Sequence, residues 1–310
     1  MKILITGGLG HIGSYILKNI KKLRIVKKIY IIDNLSTQRY SSLFDVESKN
    51  KKIYFIEKDL SKKNSLNKFK KVDVVLNLAS MTDAAGSLKI KNKIYKNNLG
   101  IFNNVLDYCK KNSSKLIHIS STSVYGEQKG VVDENCQFLK PKSPYAEIKL
   151  IEENKLRKIK KNFKFITYRF GTISGFSAGM RFHTVVNKFC LSSSLGIPLP
   201  VWKGALNKPK PYLSLSDAFL VIKYTLEKNF FKNDTYNILS ENLTLQQLIS
   251  YFKKNKKKIS IEYQKSKLIN QFPYEISNKK FTNEAFKLKS KISNDIKIIL
   301  NKFKYLSNEV

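Results

Sequence analysis

The chain has 310 residues, 42% of them hydrophobic, enough to bury a sizeable core in one large or two modest domains. No apolar run approaches the ~20 residues that span a bilayer, and the apolar stretch after Met1 is too short for an export signal, so the expectation is a cytoplasmic protein off the membrane. The formal net charge of +35 is almost all lysine, scattered along the whole length without a helix-turn-helix, zinc-finger or RNA-binding pattern; it reads as solvated surface, with no nucleic-acid partner.

Taken in chain order, Lys2–Thr6 is a short Ile-rich run, as strands buried on both faces should be. It leads into Gly7-Gly8-Leu9-Gly10-His11-Ile12-Gly13 and a helical segment, His11–Lys22. Further strands are expected at Lys28–Asp33, Lys52–Glu57, Val72–Leu78, Lys115–Ser120 and Phe163–Phe170. Helical segments are expected at Ser65–Lys70, Lys91–Lys111 and Pro144–Lys161. Strand and helix in alternation predict an α/β fold: a Rossmann-type, doubly wound parallel sheet. From about Gly175 the rhythm is lost among Gly196, Pro198, Pro200, Gly204, Pro209 and Pro211. The expected division is therefore a nucleotide-binding domain over 1–174 and a smaller mixed substrate domain over 175–310, with a strand or helix of the second able to return to the first. Three scattered cysteines, Cys109, Cys136 and Cys190, lack metal-ligand spacing, so no structural metal and a reducing compartment are expected.

The glycines, read as Gly-x-Gly-x-x-Gly at 8, 10 and 13 or with wider spacing at 7, 10 and 13, suit a strand-to-helix turn that lets backbone approach a pyrophosphate at the helix N-terminus. Asp33 ends the next strand about twenty residues on, where a carboxylate accepts ribose hydroxyls and repels a 2′-phosphate. That favours NAD over NADP. Asp59 and Leu60 follow the third strand, where the aspartate suits either the adenine or an exposed loop. Tyr145 and Lys149 stand at i and i+4 on one helix face, behind Ser143 and Pro144, which suit an N-cap and first turn. An ammonium beside a phenol favours the phenolate, which then takes a proton from an alcohol as hydride leaves. Ser120-Ser121-Thr122-Ser123-Val124-Tyr125-Gly126 lies at the carboxyl end of a strand, the edge at which such sheets bind ligands. Asn97-Asn98 opens a long helix, facing the cofactor or capping a turn. Asp83, after the fourth strand, suits an acid/base or a turn.

Together these residues resemble the extended short-chain dehydrogenase/reductases, in their nucleotide-sugar epimerase and dehydratase branch, from Met1 to about Ala218. Asp33-Asn34-Leu35-Ser36-Thr37 resembles the segment after the second strand of UDP-hexose 4-epimerases, and Asn77-Leu78-Ala79-Ser80 the branch's His-Leu-Ala-Ala motif with Asn for His. The resemblance implies Ser121, Tyr145 and Lys149 as catalytic residues. It implies NAD held by Gly7, Gly10, His11, Ile12, Gly13, Asp33, Asn34, Asp59, Leu60, Leu78, Ala79, Asn98, Tyr145 and Lys149. For a nucleotide-diphosphate sugar it points to Ser121, Thr122, Thr172 (where the branch has Asn), Asn187, Trp202 and Lys210; Arg181 lies in a stretch less typical of the branch and stands out, in a chain poor in arginine, as a phosphate or sugar contact. Trp202 suits stacking on the base or a place in the core, and Lys210 stands for an arginine that grips diphosphate, without its bidentate fork. His183 lines the pocket or is structural. Branch dehydratases carry Asp-Glu where Thr122 and Ser123 stand, which disfavours dehydration. The expectation is an NAD-dependent epimerase acting through carbon 4 of a hexose or heptose in surface polysaccharide synthesis, with a 4-dehydrogenase or 4-keto reductase as the alternative; a non-catalytic Rossmann protein that binds nucleic acid or regulates is the reading of a different class, against which Ser121, Tyr145, Lys149 and the scattered charge speak. A homodimer through the Lys91–Lys111 and Pro144–Lys161 helices is also implied.

Overall fold

The computed structural model describes residues 1–46, 52–82, 88, 90–160, 163–255, 259–264 and 274–306. The chain runs β1 (Lys2–Thr6), α1 (His11–Ile20), β2 (Lys28–Asp33), β3 (Lys52–Glu57), β4 (Val74–Asn77), α2 (Lys91–Asn112) and β5 (Lys115–Ser121). It continues through β6 (Val131–Val132), α3 (Pro144–Lys158), β7 (Phe165–Phe170), β8 (Thr172–Ser174), α4 (Val185–Ser194), β9 (Leu199–Trp202) and β10 (Lys210–Ser214). The last elements are α5 (Leu215–Glu227), β11 (Thr235–Ile238), β12 (Glu241–Leu243), α6 (Leu245–Asn255), β13 (Ile261–Gln264), β14 (Glu275–Ile276), α7 (Lys279–Glu284) and α8 (Ile292–Lys302).

Seven strands form one parallel sheet in the order β11-β7-β5-β4-β1-β2-β3. Each expected strand is present: β1, β2 and β3 with the expected bounds, β4 and β7 trimmed by up to two residues at an end, and β5 one residue longer. Side chains alternate across the sheet. Ile3 and Ile5 of β1 join one core, with residues of α1 and α5, while Leu4 joins the other, with residues of α2 and Leu156 of α3. The order of strands reverses between β1 and β4, so a crevice opens there at the carboxyl ends.

The expected helix at Ser65–Lys70 does not form. That stretch is a series of turns, with i→i−3 bonds from Ser65 to Lys62, Asn67 to Asn64 and Phe69 to Leu66, and with Asn64 in the left-handed region at φ 61°. Six residues are too few for a helix to offset its nucleation cost, and Leu66 reaches the second core without one.

Beyond Gly175 the chain is shared between two bodies. α4, α6, α8, β9 and β10 enclose a third core. α5 packs on α1, and β11 pairs with β7 as the edge of the seven-stranded sheet. β11 is a strand of the second region returning to the first, and its sequence, Thr-Tyr-Asn-Ile, is too short and polar for an apolar-run signal to place it. Its buried Asn237 is satisfied by Glu134, which accepts from the backbone N–H, and by Ser277 O, which accepts from Nδ2. Among the described residues, no helix is long and apolar enough to cross a membrane, and no group of His, Cys, Asp and Glu is placed to hold a metal ion.

Candidate active site

β1 ends in the glycine turn because only glycine fits there. Gly7 adopts φ 64°, and a Cβ on it would stand 2.7 Å from the Ala79 backbone. At Gly13 a Cβ would meet the carbonyl oxygens of Gly7 and Gly8 at 2.6 Å. α1 therefore closes tightly on β1. At Gly10, the N-cap of α1, the space a Cβ would take holds only Gly7 O at 3.3 Å and Arg39 Nη1 at 3.8 Å. A pyrophosphate can approach that backbone and its free N–H groups, and the arrangement fits a dinucleotide. The side chain of Ile12 packs against the core. The buried His11 ring turns away from the turn, with Nε2 2.8 Å from Gly175 O, and burial lowers its pKa to about 4.

Asp33 closes β2 with its carboxylate accepting from Leu9 N at 3.2 Å and Leu35 N at 3.0 Å. It is thereby clamped beside the glycine turn, with lone pairs left for ribose hydroxyls. Asn34 forms a local turn by accepting from Ser36 N, and Asp59 does the same with Ser61. Leu60 is buried in the second core, and its carbonyl accepts from Asn104 of α2. Leu78 and Ala79 leave β4 with both backbone N–H groups donated to Thr6 Oγ1, which itself donates to Asn77. Asn98 is buried and holds the Met81 backbone at both ends, accepting from its N–H at 2.8 Å and donating to its carbonyl at 3.0 Å. It shapes the crevice through that loop. Asp83 lies outside the described residues.

Ser121 caps a 3-10 turn, Thr122–Tyr125, by accepting from Ser123 N. α3 packs on β5 and on this turn, and it starts where the Ser143 hydroxyl accepts from Ala146 N with Pro144 at its first position. Ser121 and Tyr145 are both half-buried, whereas Lys149 is buried, with its ammonium 5.9 Å from the Tyr145 ring centre. The fold thus brings the hydroxyl, phenol and ammonium to one edge of the sheet. Thr122 is buried.

The remaining substrate candidates come from β8 onward. Thr172 starts β8 and pairs with Tyr212. The Arg181 guanidinium hydrogen-bonds Thr82, reaching across to the loop after β4. Asn187 is fully buried, donates to Arg181 O at 3.0 Å and leaves Oδ1 without a partner. Trp202 packs half-buried against the third core, with Lys208 Nζ 5.5 Å from its ring. Burial, with Lys208 adding to it, lowers the pKa of Lys210 to about 8. His183 is exposed.

Two features escaped the sequence reading. Residues 175–180 strap the glycine turn: Ser177 Oγ donates to His11 O, Gly179 N to Ser14 Oγ, and Ser41 Oγ to Ala178 O. The second is a buried charge cluster behind the site. Glu153 accepts from Arg169 at 2.6, 3.0 and 3.2 Å and from Ser120 at 2.5 Å. Its neighbour Glu152 accepts from Lys149 at 2.8 Å. Arg169 is therefore structural, and its signal was its rarity in a lysine-rich chain.

Residues 3–238 match the model of the NAD dependent epimerase/dehydratase family. An uncharacterized UDP-glucose epimerase of Bacillus subtilis is 28% identical over 247 residues, 77% of this chain and 76% of that one. A putative UDP-glucose 4-epimerase of Methanocaldococcus jannaschii is 27% identical over 76% of each chain. The fold matches that of a UDP-glucuronic acid 4-epimerase variant from Bacillus cereus, solved with NAD and a fluorinated UDP-sugar, at a TM-score of 0.89 and 23% identity over 98% of this chain and 99% of that one. By its match over three-quarters of its length and by the glycine turn and Asp33 that fit the cofactor, the chain belongs to the NAD dependent epimerase/dehydratase family, with NAD as its cofactor.

Proposed function

We propose that this chain epimerises a nucleotide-diphosphate sugar by transient oxidation at carbon 4. The observation that carries the reading is the placement of Tyr145 and Lys149 on α3, against the Ser121 turn, at the sheet edge where the glycine turn and Asp33 stand. Ser121 orients the sugar hydroxyl, and Tyr145 as phenolate takes its proton while the carbon–oxygen bond becomes a carbonyl. Lys149 stabilises the phenolate. NAD, held by the glycine turn and Asp33, would supply reversible hydride acceptance at carbon 4, and Tyr145 gives the proton back once the keto sugar has presented its other face. Bond orders, protons and electrons are then all restored, and only the configuration has changed.

Thr122 and Ser123 bring no carboxyl group to the site, which speaks against dehydration. The strap over the glycine turn supports epimerisation over net dehydrogenation, since an enzyme that regenerates NAD within each turnover gains from holding it. Trp202, Lys210 and Arg181 are assigned to the nucleotide and diphosphate, and a homodimer through α2 and α3 goes with this reading. The test is to incubate the protein with UDP-, GDP-, CDP- and dTDP-sugars, following product configuration and the absorbance of reduced nicotinamide. Epimer formation without accumulating NADH is expected. Stoichiometric NADH would instead establish a dehydrogenase, and no turnover with any sugar would remove the assignment.

A further inference from the structure

α3 carries three of its charged side chains inward. Lys149, Glu152 and Glu153 are all at least nine-tenths buried, although most charged side chains on a helix stay in water. Each carboxylate has its own cation. Glu153 is bound by Arg169 of β7, and Glu152 takes one donor of Lys149 at 2.8 Å. From β5, His118 places Nε2 3.2 Å from the same Glu152 oxygen, out of hydrogen-bonding alignment. From α2, Phe102 packs its edge on the His118 ring, and Tyr95 hydrogen-bonds Glu147 further along α3. Of the 3-10 turn, Tyr125 meets Arg169.

We propose that Glu152 is a positioning residue for the Tyr145–Lys149 pair: its carboxylate holds the Lys149 ammonium in place and sets the pH at which the pair first loses a proton. The inference rests on Tyr145 being the base. With Glu152 ionised, the group of Tyr145, Lys149 and Glu152 is neutral before that proton leaves and negative afterwards. Without the carboxylate it is positive before and neutral afterwards, so the proton leaves more easily. Burial opposes charge on both Lys149 and Glu152, yet their mutual attraction raises the pKa of Lys149 and lowers that of Glu152. Burial outweighs the neighbouring carboxylates at His118 and lowers its pKa, leaving it neutral beside the pair. The two ionisations are coupled and belong to the pair.

The experiment compares wild type with Glu152→Gln, which keeps shape and acceptor but not charge, and with Glu152→Asp, which keeps charge. Two quantities are followed against pH on the NAD-loaded protein. One is the ultraviolet difference signal of Tyr145 ionisation, referenced to Tyr145→Phe; the other is the ascending limb of kcat/KM. Glu152→Gln should move both to lower pH by about one unit, the size of shift one adjacent charge produces, while Glu152→Asp, which keeps the charge at a longer gap from Lys149, should move both the same way by a smaller amount. An unmoved ultraviolet titration in folded Glu152→Gln overturns the proposal. If that variant does not fold, Glu152→Asp decides: its longer gap to Lys149 should give a smaller shift in the same direction, and none overturns the proposal. Should Tyr145→Phe retain full turnover, the base assignment itself fails, an outcome distinct from the others.

Discussion

Gly179 passes so close to Leu9 that a Cβ on it would stand 2.2 Å from the Leu9 carbonyl oxygen, and 2.6 Å from that of Gly10. The strap therefore lies directly on the turn that faces the dinucleotide, and it does so only because residue 179 has no side chain. Gly179→Ala should push strap and turn apart, at about 1–3 kcal/mol, typical of overpacking. Isothermal titration should show weaker NAD binding by tenfold or more, and apoprotein that binds NAD as wild type does would separate the strap from cofactor retention.

Tyr145→Phe removes the hydroxyl while leaving the half-buried ring. Turnover should fall by roughly 10²–10⁴, the usual worth of a positioned acid–base group, with NAD still bound after gel filtration. Undiminished turnover would give the proton transfer to another residue.

Glu153 and Arg169 are buried across α3 and β7, and the pair is closed by Ser120 and Tyr125. Taking away one charge strands the other, which costs about 3–5 kcal/mol. Arg169→Met should unfold at a markedly lower denaturant concentration than wild type. Its double variant with Glu153→Leu should recover much of that loss. A single variant as stable as wild type would mean water reaches this cluster.

Asp295 of α8 accepts from Ser214 at 3.0 Å, and burial, with Asp217 and Glu241 adding to it, raises its pKa from 3.8 to about 7. The folded protein then holds a proton that the unfolded chain releases between these values. Its stability contribution is full below pH 3.8 and is lost as pH rises to about 7, by on the order of a few kcal/mol at one unit per ~1.4 kcal/mol. Asp295→Asn should flatten that slope and raise Tm relative to wild type at pH 8. A wild-type slope of the opposite sign, unchanged in the variant, would remove Asp295 as its source.

Much of the molecule is read directly from local order. Lys2–Thr6 and its fellow strands announce themselves because burial on both faces demands unbroken apolar runs, and the glycine turn because close approach of backbones excludes every Cβ. The Tyr145–Lys149 spacing follows from the helical repeat alone. None of this required knowing what lies opposite. Burial of charge is different, since a glutamate in a helix reads as solvated until its partner is known, and the partners of Glu152 and Glu153 come from α3 itself and from β7. The return of Thr235–Ile238 to the main sheet and the seat of Gly179 on Leu9 were likewise settled only in three dimensions. Four half-polar residues become a strand when a free sheet edge offers them hydrogen bonds, and a glycine far from the turn becomes essential when folding leaves no room beside it.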